Sequence, residues 1–147
     1  MRGFLAFLAV VFVFAAALLH EEVRAGAVLN PEMQALVDGY LKDAQKSEPG
    51  LKAFSAAEGK RFFSEKRMNA AKKEERSCAT CHTEDPKNQG KTTVGKPIEP
   101  MAPSVNKGRF IDPRKVEKWF KRNCEWVLER ECSPKEKGDY IAYMFSL

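Results

Sequence analysis

Ser77-Cys-Ala-Thr-Cys-His82 is the stretch that decides how this chain is read. Cys78 and Cys81 stand two residues apart, with His82 directly behind the second thiol. Two thiols at that spacing can each add to one of the two vinyl groups on a haem edge. The following imidazole then turns under the iron, so the pattern is that of c-type haem attachment. A structural zinc site would need four ligands at suitable spacing, and Cys124 and Cys132 lie more than forty residues away. A thioredoxin-like motif would sit in a βαβ context, and the sequence shows no convincing strand. The motif therefore implies one covalently bound haem c, with His82 as the proximal iron ligand.

Cys124 and Cys132 complete the four cysteines. In an oxidising compartment they are expected to pair. Eight residues apart on a continuous helix, they would be separated by about 12 Å, whereas a disulfide tolerates only about 4.4–6.8 Å between Cα atoms. The helix must therefore break between them and fold back. Closing so short a loop contributes roughly 2–3 kcal/mol.

The chain start points to that compartment. Met1-Arg2-Gly3 precedes a 16-residue apolar run from Phe4 to Leu19, short of the roughly 20 residues of a membrane span. Residues 1–25 read as a secretory signal peptide, cut near Ala25 or Ala27, with an uncleaved anchor as the alternative. The location expected is the periplasm. Removing residues 1–25 leaves about 120 residues, enough for one domain with a modest core. It takes away two basic and two acidic residues, so 23 basic and 18 acidic side chains keep the net charge at +5. That charge reads as mild and spread along the chain. It suits docking onto an acidic partner and does not require nucleic acid. His20 leaves as well, so His82 is the only histidine remaining. Bis-histidine ligation within the chain and a second haem site are both excluded.

Four helix starts are legible. Asn30-Pro31 gives an N-cap and a proline at the first helical position, predicting a helix over 31–45. Ser55 to Glu58 is a capping box opening a helix over 56–66. Asp112-Pro113 opens a helix over 113–123, and Ser133-Pro134-Lys-Glu136 one over 134–146, with Tyr140, Ile141 and Met144 as core side chains. Residues 83–111 have no periodicity and many prolines and glycines, as expected of a segment that wraps a porphyrin edge. Lys72 to Arg76 reads as a solvated charged face. The result is an all-α, class I cytochrome c-like single domain around one haem. It divides into the signal peptide, a helical extension over 26–54 and a cytochrome c domain over 55–147.

The face of the iron opposite His82 decides the function. Met101, in Pro100-Met-Ala-Pro103, is the candidate of an ordinary electron carrier, since a thioether favours ferrous iron. Val116, Trp119, Phe120 and Asn123 share one helix face, where Trp119 and Phe120 would line an apolar haem pocket and Asn123 continues the stripe. By spacing alone Asn123 is an ordinary helix-end asparagine or an iron ligand.

Ser77 to His82, Thr93-Val-Gly-Lys96, Pro100 to Ser104, Arg109-Phe110, Val116-Glu-Lys-Trp119, Arg122-Asn-Cys124 and Cys132 together resemble the SHP family. These sphaeroides haem proteins are oxygen-binding c-type cytochromes, and the likeness runs from about Ser55 to the C-terminus. The resemblance implies that Asn123 is the sixth ligand of ferric iron and leaves on reduction, and that Cys124 and Cys132 are the family's disulfide. It implies packing for Met101, where the family has an apolar residue. It also implies a dihaem c-type cytochrome as electron donor, fed by a membrane b-type cytochrome, and O2, NO or CO as ligand. Three functions compete: a monomeric redox-gated haem protein with possible oxygen or nitric oxide chemistry, a plain electron carrier using Met101, and a gas sensor acting through a partner. No acid–base catalytic group is evident.

Overall fold

The structure is a computed structural model that describes residues 27–147; the signal-peptide reading of residues 1–25 lies outside them. Among the described residues the order is α1 (Pro31–Ala44), α2 (Ala56–Ser64), β1 (Arg67–Asn69), β2 (Glu74–Arg76), α3 (Ala79–His82), β3 (Gly90–Lys91), β4 (Pro97–Ile98), α4 (Pro113–Leu128) and α5 (Pro134–Phe145). Helices dominate, and the class is all-α. No helix of the described residues is long and apolar enough to cross a membrane.

The four expected helix starts are where cap chemistry puts them. The Asn30 side chain accepts from the Met33 amide, and Asp112 accepts from Arg114 and Lys115. Ser133 and Glu136 form a reciprocal capping box. At α2 only half of the box forms. Ser55 accepts from the Glu58 amide, but the Ser55 amide donates to Asp139 Oδ1 of α5 at 2.8 Å. Asp139 is buried beside that cap, whereas Glu58 turns to Arg61 on the surface.

α5 is the central element and packs on α2 and α1. The approach to α2 closes at Gly59, where an added Cβ would lie 1.9 Å from the Asp139 carbonyl oxygen. Met33, Phe63, Ile141 and Met144 are fully buried, and full burial of such side chains contributes about 1.5–3 kcal/mol each. An aromatic chain runs through the core from Phe63 to Tyr140, then to Phe110 and Phe120, with centroids 5.4–6.3 Å apart. Tyr40 of α1 meets Phe120 of α4 edge-on at 6.4 Å.

Several expectations are corrected. α2 stops at Ser64, short of residue 66. α4 runs five residues past 123, because Phe120, Cys124 and Val127 continue its buried stripe. It ends at Glu129, whose backbone is left-handed (φ 56°) and whose carboxylate accepts from the Ala70 and Ala71 amides. The chain then folds back, and Cys124 and Cys132 are joined with Cα atoms 5.5 Å apart.

The absence of strands is also corrected, since two short antiparallel ladders form. Arg67 pairs with Arg76 through Asn69 with Glu74, and Gly90 and Lys91 pair with Ile98 and Pro97. Neither has the alternation that marks a strand in sequence, because each is held by tertiary contacts. Asn69 and Arg76 both donate to the Trp126 carbonyl oxygen at 3.1 Å. Arg76 is therefore buried, not part of a solvated face; only Lys72 to Glu75 are exposed. The segment 83–111 is ordered by its own bonds. The Pro86 carbonyl accepts from Met101 and Ala102, and the Arg109 side chain donates to the carbonyls of Pro100 and Glu99.

Candidate haem site

Cys78 to His82 fold as a single helical turn. The Cys81 and His82 amides both return to the Cys78 carbonyl, at 3.3 and 3.1 Å. Thr80 Oγ1 accepts from the Ser77 amide at 3.0 Å. Residues three and four apart share a helix face, so this turn presents Cys78, Cys81 and His82 to one side. Thr83, at φ 63°, ends it. Gly90 presses the β3 backbone against the turn: a Cβ there would lie 2.1 Å from the Cys81 carbonyl oxygen. Only glycine permits that approach.

The three side chains border a cavity of about 640 Å³, within the range of roughly 300–1,000 Å³ typical of cofactor sites. Ile98, Phe110, Val116, Phe120 and Val127 give it an apolar wall. Burial pushes the Cys78 thiol up to about 12, against the opposing charge of Arg67. Cys81 is raised as well, by burial, with Arg76 opposing. Both thiols are thus protonated at neutral pH, unlike the thiolates of reactive disulfide exchange. His82 is lowered to about 4, by burial first and the Arg109 charge second. It is neutral, with a lone pair available to a metal. Two protonated thiols, one neutral imidazole and an apolar wall around a flat-ligand-sized cavity fit a covalently held haem.

Both candidates for the sixth position border this cavity. Met101 is held in the turn that bonds to Pro86. Asn123 is not at a helix end, as its spacing allowed, but inside α4 with five residues still to run. The asparagines with structural work elsewhere are bonded to backbone: Asn30 at the α1 cap, Asn69 to Trp126, Asn106 to Pro100. Of the apolar stripe, Val116, Trp119 and Phe120 all border the cavity, with Phe120 buried and Trp119 48 % exposed.

Other cavity residues were missed or undervalued. Tyr140, expected only as core, also borders the cavity, as do Arg67 and Trp126. Trp126 extends the stripe of Trp119 and Asn123 by one more turn, a signal lost when the helix is expected to end at 123, whereas Arg67 belongs to no periodic pattern and is placed by the hairpin docking on α4. The only sequence signal for Arg109 and Phe110 was the family likeness.

Comparison with known proteins gives this site its context. Residues 49–144 match a family model described as "Domain of unknown function (DUF1924)". Cytochrome c'' of Methylophilus methylotrophus is 43 % identical over 114 residues, covering 77 % of this chain and 78 % of that protein. The cytochrome c-type protein SHP of Cereibacter sphaeroides is 48 % identical over 68 residues, 46 % of this chain and 53 % of that protein. The crystal structure of oxidised M. methylotrophus cytochrome c'' superposes with a TM-score of 0.71 at 42 % identity, over 78 % of this chain and 93 % of that one. The structure of oxidised SHP, described as an oxygen-binding cytochrome c, superposes with a TM-score of 0.68 at 34 % identity, over 82 % of this chain and all of that one. The chain belongs to this family, and is a c-type cytochrome carrying one covalently attached haem c, related to cytochrome c'' and SHP.

Proposed function

We propose that this chain is an exported electron-accepting cytochrome in which Asn123 closes the sixth position of ferric iron and leaves on reduction, opening it to O2, NO or CO. Cys78 and Cys81 would hold the haem edge, and His82 would stand below the iron. Bound haem supplies a one-electron iron couple and one exchangeable coordination position. The observation that carries the reading is the place of Asn123: inside α4, bordering the cavity that His82 also borders, one residue before a disulfide.

An amide oxygen is a hard, weak donor, better matched to ferric than to ferrous iron. The Asn123 side chain is thus favoured in one redox state and released in the other. Cys124, bridged to Cys132, limits how far α4 can move, so release is a side-chain swing and not a helix shift. Phe120 and Val116 supply apolar lining on the same helix as Asn123, which would favour an apolar pocket around a bound ligand. Two relatives lend support: SHP is described as oxygen-binding, and the solution structure of M. methylotrophus cytochrome c'' as giving insight into haem-ligand detachment. Export follows from the reading of residues 1–25 and places the chain in the periplasm. The donor proposed is another c-type cytochrome, of the dihaem kind.

The competing reading, a plain electron carrier, rests on Met101 bordering the same cavity. A visible spectrum of the reduced protein with and without CO separates them. A high-spin ferrous spectrum that shifts at once with CO is the result expected. A low-spin spectrum indifferent to CO would assign the sixth position to Met101.

A further inference from the structure

The positive charge of this chain is not spread along it, as the composition suggested. Residues 27–147 hold 23 basic and 18 acidic side chains, and residues 113–123 alone contribute five basic against one acidic. The other described residues hold 18 against 17, close to balance. Nearly all the net charge therefore sits on the first three turns of α4.

Those charges face outward. Arg114, Lys115, Lys118, Lys121 and Arg122 are all exposed. The one acid among them, Glu117, is turned inward and engaged by Lys137 at 2.8 Å and by the Tyr40 hydroxyl. Arg114 reaches Asp112 only at 3.8 Å while 95 % exposed, and such a pair is worth little. Trp119 lies at the cavity edge of this face, 48 % exposed, with the Arg122 guanidinium 5.5 Å from its ring centroid. Large half-exposed aromatics flanked by arginine are the residues that anchor protein interfaces. Trp119, Lys115 and Arg122 also border the haem cavity, so whatever covers this edge of the face would sit close to the bound haem.

We propose that the exposed face of α4, running from Trp119 at its cavity edge to Lys118 and Lys121 farther round the helix, is the docking surface for an acidic electron-donating protein. The charge asymmetry supplies steering, since a patch of one sign raises association rates by 10–10³ toward an oppositely charged partner. The Trp119 ring supplies an apolar anchor at the point where the cavity meets solvent. One electron then passes from the donor to ferric iron, leaving the donor oxidised by one electron and the iron ferrous, with no covalent bond made or broken. This inference rests on the electron-accepting part of the proposed function and is independent of which side chain holds the sixth position.

The test uses stopped-flow reduction of the ferric holoprotein by the hydroquinone of an acidic flavodoxin, across a range of ionic strength. Lys118→Glu/Lys121→Glu changes charge on the docking face without touching a residue that borders the cavity. Lys52→Glu/Lys60→Glu makes the same change in charge on exposed residues elsewhere. The first pair is expected to lower the second-order rate at low salt by about tenfold or more and to abolish its salt dependence; the second pair is expected to change it by less than about threefold. Equal losses in both pairs would reduce the effect to net charge and overturn the proposal. So would an unchanged rate in the first pair with lost binding to phosphatidylglycerol vesicles, which would make the face a membrane contact. A ferrous protein indifferent to CO would defeat the gas-binding reading and leave this result standing.

Discussion

The Arg76 guanidinium lies over the Trp126 ring, 3.9 Å from its centroid, and donates to the carbonyl oxygen of the same residue at 3.1 Å. Arg76 stands two residues before Cys78, and Trp126 three after Asn123. This one contact therefore ties the haem-attachment turn to the helix that carries the candidate sixth ligand. The Arg76 side chain is 7 % exposed, so its charge is screened little by solvent.

Arg76→Ala is expected to destabilise the holoprotein by about 2–4 kcal/mol, from a lost cation–π contact and a lost charged hydrogen bond to the Trp126 carbonyl, which keeps its bond from Asn69. Arg76→Lys recovers little of it, because an ammonium cannot stack and donate to the carbonyl in the same geometry. Denaturant unfolding followed by far-UV circular dichroism checks both. Unchanged midpoints would mean that Asn69 and Glu129 hold the hairpin without Arg76.

Two substitutions divide the candidates for the sixth position. Asn123→Ala should change the ferric visible spectrum toward high spin, while Met101→Leu should leave both the ferric spectrum and CO binding as they are. An unchanged ferric spectrum in Asn123→Ala sinks the role given to Asn123. A ferrous form that gains CO binding only in Met101→Leu would transfer that role to Met101.

Replacing Cys124 and Cys132 together by serine removes the closed loop at the end of α4. A loss of roughly 2–3 kcal/mol follows from the loop length. If the bridge also limits the swing of Asn123, rebinding of the side chain after photolysis of the ferrous CO complex and reoxidation will slow in the double variant. Equal rebinding rates would confine the bridge to stability.

The Glu117 carboxylate predicts a pH dependence. Burial works against its ionised form, but the hydrogen bonds from Lys137 and Tyr40 outweigh it and hold its pKa below the usual 4.5. A folded-state pKa below the unfolded one gives stability that is fully present above 4.5 and drains away as pH falls through the folded value. Glu117→Gln should therefore be less stable at neutral pH and lose less of its stability on acidification. Thermal unfolding at a series of pH values measures the difference in slope. Parallel profiles for the two proteins would show that Lys137 and Tyr40 do not favour the charged form.

The attachment motif, the four helix starts and the all-α class were legible in the sequence for local reasons. Cap residues satisfy orphan amides within three positions, and two thiols followed by an imidazole carry their chemistry in five consecutive residues. The fold-back between Cys124 and Cys132 was legible too, because the rise of a helix makes a straight one incompatible with a bridge. Only the tertiary structure decided the rest. The β1–β2 ladder, the burial of Arg76 and the transfer of Ser55's amide from Glu58 to Asp139 depend on partners 50 to 84 residues away. The gathering of His82, Met101, Trp119 and Asn123 around one cavity likewise requires α4 to dock beside the attachment turn. Such contacts leave no periodicity, since they form only after the chain has closed loops that local propensity does not encode.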